Sequence, residues 1–337
     1  MNGSISRCLS GVAHVVWLLS CALLCFSWST NASWGDRSRV FVLCVNACIE
    51  ANCTGLENLT RYSENQSLTD RLTLWTCSDD CRYDCMWSTV SFFQLHLNRT
   101  PQFHGKWPFI RWAGMQEPAS VLFSLMNLMA FLFMLHQVVN NVPSYAPMYY
   151  AWVGYCMVGV VAWLSAIVFH TRDTYVTEKL DYYCAFAAVL YSFYCALLRI
   201  MGNEHGHTLK LTTYFFVTYF IAHVFYLTFI KFDYGYNMKA SVAVGICNAL
   251  SWLVWSLTQW RRHRYAHLKY CVYVVVLAGS LLILELLDFP PFAWTFDAHS
   301  LWHLGTSPLP LLWTKFIIED CHLLLRESVD SKDKKTI

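Results

Sequence analysis

The chain has 337 residues, 56% of them hydrophobic and only 14% charged, with a formal net charge of +2. Soluble domains carry about 25% charged residues, so an ordinary aqueous globule is excluded, and the near-neutral balance argues against nucleic acid or any strongly charged partner. Aromatic residues make up 17%, which suits interfacial belts and packed membrane spans.

At the start, Arg7 precedes an apolar run from Gly11 to Phe26, and small residues around Thr30 and Ala32 offer a cleavage site. Residues 1–32 therefore read as a secretory signal peptide, with an uncleaved anchor as the alternative. The segment after it is expected in the lumen. Residues 33–118 are polar and hold Cys44, Cys48, Cys53, Cys77, Cys81 and Cys85. Six cysteines in an exported segment imply three disulfides, with fifteen possible connectivities. A zinc site is the weaker reading, since no histidine pattern completes it. Asn52, Asn58, Asn65 and Asn98 each open an Asn-x-Ser/Thr sequon, and Asn31 is a fifth if it survives cleavage. Their clustering before the first span fits a glycosylated luminal domain, stapled by disulfides because it is too small and polar to bury a large core.

Seven apolar stretches come next, near 119–139, 147–170, 180–201, 211–230, 239–259, 268–287 and 298–318. Each is about the 20 residues a helix needs to cross the hydrocarbon core. The expected fold is an all-α membrane protein, a seven-helix bundle over 119–318 with the disulfide-rich domain before it and a cytosolic tail over 319–337. Arg261, Arg262 and Arg264 fall in one expected cytosolic loop, and Arg326, Lys332, Lys334 and Lys335 in the tail. Luminal loops carry fewer cations, such as Arg172 and Lys231, in keeping with the positive-inside rule. The chain ends Lys334-Lys335-Thr336-Ile337, which resembles a dilysine signal read by coat proteins that return membrane proteins to the endoplasmic reticulum. An ordinary charged tail reads equally well.

This topology sorts the polar groups by depth. His299 and His303 open the seventh stretch one helical turn apart, a spacing that lets two imidazoles reach one metal ion. A lone pair of this kind is more often packing than ligand. Here, however, His170 ends the second stretch and Asp181 begins the third, so three imidazoles and a carboxylate meet at one level just inside the luminal boundary. Three histidines with an open position are a catalytic zinc pattern, and a nearby carboxylate can take the proton from the activated water. His223 lies well below that level and reads as a hydrogen-bonded packing histidine. Glu285 and Asp288 reach the luminal level, where they orient a ligand histidine or simply end a helix. Asp173, in the short luminal loop, reads as solvated. Cys156, Cys184, Cys195, Cys247 and Cys271 read as buried thiols. No nucleophile elbow, P-loop or dinucleotide fingerprint is present.

Several ordered motifs resemble the Per1-like family of the CREST superfamily, seven-span hydrolases thought to be metal-dependent. They are Phe169-His170-Thr171-Arg172-Asp173, Thr177 through Tyr182, Phe232 through Asn237, Leu286 through Pro291, Asp297 through His303, and Pro101 through Phe109 with the cysteine motifs before it. The resemblance covers nearly everything from Cys44 to Leu325. It implies lipid remodelling, in which a phospholipase A2-type ester hydrolase removes the sn-2 acyl chain from the phosphatidylinositol of GPI-anchored proteins. It further implies zinc on His170, His299 and His303, with Asp181 catalytic, and residence in the endoplasmic reticulum membrane or, alternatively, the Golgi. The superfamily serine lies four residues before the first histidine, where this chain has Ala166. Ser165 is one residue further back. Neighbours four apart sit about 40° away around a helix and neighbours five apart about 140°, so Ser165 needs a π-bulge to serve as a catalytic residue. The rival to the hydrolase is a non-enzymatic receptor or chaperone for GPI-anchored proteins with a structural metal. A ceramidase-like amide hydrolase is disfavoured by the cysteine-rich domain.

Overall fold

The computed structural model describes residues 33–202 and 206–336. The signal-peptide reading of 1–32 and the last residue of the dilysine tail fall outside them. All regular structure in the described residues is helical.

The N-terminal part consists of α1 (Arg39–Asn52), α2 (Leu56–Asn65), α3 (Leu68–Leu72) and α4 (Cys77–Leu97). Ser38 caps α1, and a Thr76–Asp79 capping box starts α4, satisfying amides that a first turn leaves unpaired. The bridges are Cys44–Cys85, Cys48–Cys81 and Cys53–Cys77. Cys44 and Cys48, and Cys77, Cys81 and Cys85, are spaced four apart and lie on one face of their helices, while Cys53 caps the C-terminal end of α1. Running α1 against α4 antiparallel therefore selects this ladder from the fifteen connectivities. Each bridge closes a loop of 24 to 41 residues, worth about 2–4 kcal/mol apiece. Phe41, Cys85, Val90 and Phe103 form the small core beneath it. Asn52, Asn65 and Asn98 are exposed and Asn58 is half-buried.

Five helices are long and apolar enough to cross a membrane: α5 (Pro118–Asn141), α6 (Tyr149–Thr171), α7 (Tyr175–Met201), α8 (Gly206–Phe225, extended to Ile230 by a π-helical turn) and α9 (Tyr234–His263). The expected sixth stretch is α10 (Leu268–Leu287), apolar over Leu268–Leu284. The expected seventh is broken into α11 (Ala298–Thr306) and α12 (Leu309–Thr336). Pro308 and Pro310 cannot donate the amides a continuous helix needs there. Seven uniform spans thus become five long ones, a shorter apolar helix and a broken pair.

The helices form a ring. α5 packs on α6, α6 on α7, α7 on α9, α9 on α10, and α10 on α11 and α12, which both return to α5; α8 packs on α7 outside the ring. One end is filled by Trp152, Trp252, Trp255, Trp313 and Phe316, with Trp252 only 5.2 Å from Trp313 between ring centroids. Beside this cluster Arg199 donates to Asp320 at 2.6 and 2.9 Å. Trp152 precedes His170 by 18 residues on α6, about 27 Å along the axis. The aromatic plug and the histidines therefore occupy opposite ends of the bundle. His223 fulfils its packing role, bonded to Asn237 at 3.1 Å and stacked on Phe186. Of the five thiols expected to be buried, Cys184 alone is half-exposed; Cys321 is a further buried free thiol.

Helix contact is close at Gly159, where an added Cβ would overlap the Phe131 ring of α5. Overpacking of this kind costs about 1–3 kcal/mol. Gly159→Val is expected to lower the thermal unfolding midpoint in detergent, and an unchanged midpoint would show that α5 and α6 do not pack this closely.

Candidate metal centre

His170 sits in the last turn of α6, and His299 and His303 lie on α11. A capping box between Asp297 and Ser300 starts α11, so the two histidines fall on one face, one turn apart. Asn127 of α5 donates to the His303 carbonyl at 2.7 Å and to that of Phe123 at 2.9 Å, fastening α11 to α5. Trp163 and Trp302 flank the His303 ring at 5.2 and 5.0 Å.

The three imidazoles converge. His303 Nε2 lies 2.9 Å from His299 Nε2 and 3.3 Å from His170 Nε2. A single Nε2 carries one proton or one lone pair, so it serves two such neighbours poorly. Three lone pairs turned on one point are what a metal ion satisfies. Tetrahedral zinc–nitrogen bonds of about 2.0–2.1 Å place the nitrogens about 3.3 Å apart, close to the spacing here. His170 and His303 are buried and His299 is half-buried. The donor set suits a divalent metal ion.

His170 Nδ1 is bonded to Glu117 Oε2 at 2.7 Å, which turns Nε2 toward the other rings. Glu117 immediately precedes α5, and its amide donates to the His170 carbonyl at 3.0 Å, while Gln116 donates to Thr171 at the same distance. A short backbone ladder thus sets the carboxylate beside the ring. Lys106 bonds the other oxygen of Glu117 at 2.6 Å and Asp173 at 2.9 Å, with its ammonium 4.0 Å from the Phe169 ring centroid. Burial by itself would raise the Glu117 carboxyl. The attraction of Lys106, then of His170, outweighs it and holds the group well below the usual carboxylate range. Likewise burial would lower the Lys106 ammonium, and Glu117 followed by Asp173 carry it above its usual range.

His170, His299 and His303 meet here as their shared depth predicts. Glu117, Lys106 and Asn127 join them without having been singled out in the sequence. Glu117 was visible by the same logic, as an acid at the N-terminal end of the first span. Asp173 is not simply solvated, since it is paired with Lys106. Asp181, in the first turns of α7, is half-buried and interacts electrostatically with His170 and His299. It stands outside the group of three ligand atoms. Ser165 is placed differently from the π-bulge expectation. Helix α6 is unbroken through Thr171, and the Ser165 hydroxyl donates to the Ala162 carbonyl at 2.7 Å. The π-helical turn is in α8 instead, at Tyr226–Ile230. Asp288 orients no histidine; it accepts from Trp107 at 2.7 Å and Gln102 at 3.0 Å. The Glu285 side chain lies outside the described residues.

The N-terminal helices dock on the same end of the bundle. Arg172 pairs with Asp79 at 2.7 Å, and Arg172 and Arg111 both lie over Trp75, at 4.0 and 4.2 Å. Trp87 meets Trp294 edge-on at 5.1 Å.

Known proteins are similar to this chain over most of its length. The model of the Per1-like family matches residues 67–321, which include every residue of the histidine centre and its carboxylate partners. A Danio rerio protein named GPI-specific phospholipase A2-like PGAP3 is 45% identical over 311 residues, 92% of this chain and 97% of that one. Its Xenopus laevis namesake is 46% identical over 300 residues, 89% and 94% of the respective chains. The Drosophila melanogaster post-GPI attachment to proteins factor 3 is 38% identical over 312 residues, 91% and 93%. With the family model matching most of the chain, the three converging histidines included, the chain belongs to the Per1-like family.

Proposed function

We propose that this protein is a zinc-dependent lipid hydrolase that removes the sn-2 acyl chain from the phosphatidylinositol of GPI-anchored proteins. The observation that carries this reading is the convergence of three Nε2 atoms at one buried point. The relatives' names supply the lipid class. A structural zinc site is closed by four protein ligands, whereas only three residues converge here among the described residues, which favours catalysis over the receptor reading.

When bound, the ion supplies Lewis acidity toward the ester and makes water more acidic. The chain's own residues prepare that chemistry. Glu117 takes the Nδ1 proton of His170 in a hydrogen bond, so Nε2 offers its lone pair. Asn127 holds α11 in place, and with it His299 and His303. Asp181, beside His170 and His299, accepts the proton of the attacking water. Ser165 is engaged with Ala162 and is given no step.

The site belongs at the luminal boundary, with the disulfide-linked segment of 33–118 luminal, a membrane domain over 119–318 and a cytosolic tail over 319–337. The membrane domain makes seven crossings, the broken α11–α12 pair counting as the last. In cells whose only copy carries His303→Ala, GPI anchors are expected to keep the sn-2 chain that wild type removes, as read by lipid mass spectrometry. A wild-type profile from folded His303→Ala protein would end the hydrolase reading.

A further inference from the structure

A cavity of about 280 Å³ lies between the disulfide-linked helices and the histidine end of the bundle. Its walls combine aromatic rings, among them Tyr83 and Trp107, with ionic groups. It adjoins the metal centre through Lys106, which lines it and bonds Glu117 at 2.6 Å, and Glu117 in turn bonds His170 at 2.7 Å.

The charges around the cavity decide what suits it. The cations are Lys106, Arg82, Arg111 and Arg172. Asp79 pairs with Arg82 at 3.0 Å and Arg172 at 2.7 Å. Asp80 pairs with Arg111 at 2.8 Å. Glu117 and Asp173 both pair with Lys106. Asp70 also pairs with Arg111, at 4.0 Å, so four cations face five carboxylates, which leaves no positive field for an isolated anion, and so much ionic wall repels an acyl chain. The walls then offer a dense set of fixed donors and acceptors beside aromatic faces. Sugar and inositol hydroxyls both donate and accept, while their ring C–H faces are apolar and cover aromatic rings. One donor still lacks a partner: Arg172 Nε is buried with none. The volume is near the lower end of small-ligand sites, which start at about 300 Å³.

We infer that this cavity is a polyol site, holding the sugar–inositol head of the lipid while the acyl ester lies at the histidines. The inference rests on the lipid-hydrolase reading above. It makes the disulfide-linked helices part of substrate selection, since Arg82, Tyr83 and Met86 all come from α4.

The test uses the full-length protein in detergent micelles and a soluble glycosyl-inositol without acyl chains, with binding measured by calorimetry. Wild type is expected to bind. Arg82→Ala, at a side chain 52% exposed, is expected to weaken binding about tenfold or more. Met86→Trp, which fills the cavity, should abolish it. His303→Ala should retain binding, because the cavity does not use that ring. Unfolding curves establish that each variant is folded. The polyol site is overturned if wild type does not bind, if folded Arg82→Ala and Met86→Trp both bind like wild type, or if inorganic phosphate displaces the probe and marks an anion site. Loss of the hydrolase reading would show separately, in the anchor lipids of His303→Ala cells.

Discussion

Purified protein is expected to carry one divalent metal ion per chain, and His170→Ala, His299→Ala and His303→Ala should each reduce that content to near zero. The three Nε2 atoms stand 2.9 to 3.3 Å apart along the His299–His303–His170 chain, so each supplies a similar share of the coordination. Removing one leaves two imidazoles, too few to hold the ion against water at ordinary concentrations. The control is His136→Ala, at an exposed histidine of α5 bonded to Asn140. It should retain full metal. Elemental analysis after extensive dialysis reads the result directly. Metal content that survives all three substitutions would place any ion elsewhere and remove the basis for the centre.

Replacing Glu117 should have the next largest effect, and two substitutions separate its roles. Glu117→Gln keeps the shape and loses the charge. Carboxylates behind ligand histidines typically contribute 10–100-fold to metal affinity, and a loss of that size is expected in competition with a chelator. Glu117→Ala also leaves Lys106 and His170 without their shared partner in a buried setting. Breaking a buried ion pair from one side costs about 3–5 kcal/mol, somewhat less here because Asp173 still holds Lys106 at 2.9 Å. The alanine variant should therefore unfold at clearly lower temperature than the glutamine variant, while both bind metal weakly. Wild-type metal affinity in Glu117→Gln would show that the 2.7 Å contact does not tune His170.

These two experiments probe different layers of one arrangement. The histidines are held by three separate elements: the end of α6, the start of α11, and α5 through Asn127 and Glu117. The disulfide-linked helices join the same end through Arg172, Asp79 and Trp75. A lipid head in the lumen and an ester at the membrane boundary would meet both.

Much of this was legible from the chain alone because membrane segments impose strong rules. An apolar run of about 20 residues must be helical where backbone groups cannot reach water. Runs that alternate direction put their ends at two levels. Those rules sufficed to group His170, His299, His303 and Asp181 before any contact was known. Composition also located the six cysteines of the disulfide-linked segment. The pairings between residues of distant loops were beyond reach. Lys106, Glu117 and Asp173 are separated by up to 67 positions in the chain, and no local pattern couples them.

Composition, apolar periodicity and cysteine count determined by themselves that this is a helical membrane protein with a disulfide-rich N-terminal segment and histidines gathered at one end. The tertiary structure decided which cysteines pair, because only antiparallel packing of α1 on α4 selects one ladder. It decided that the last apolar stretch breaks at its prolines and that Ser165 stays bonded to its own helix. It also decided that Glu117 stands behind His170. Depth along a helix comes from counting residues, but which way a side chain faces and what it meets depend on neighbours far away in the chain.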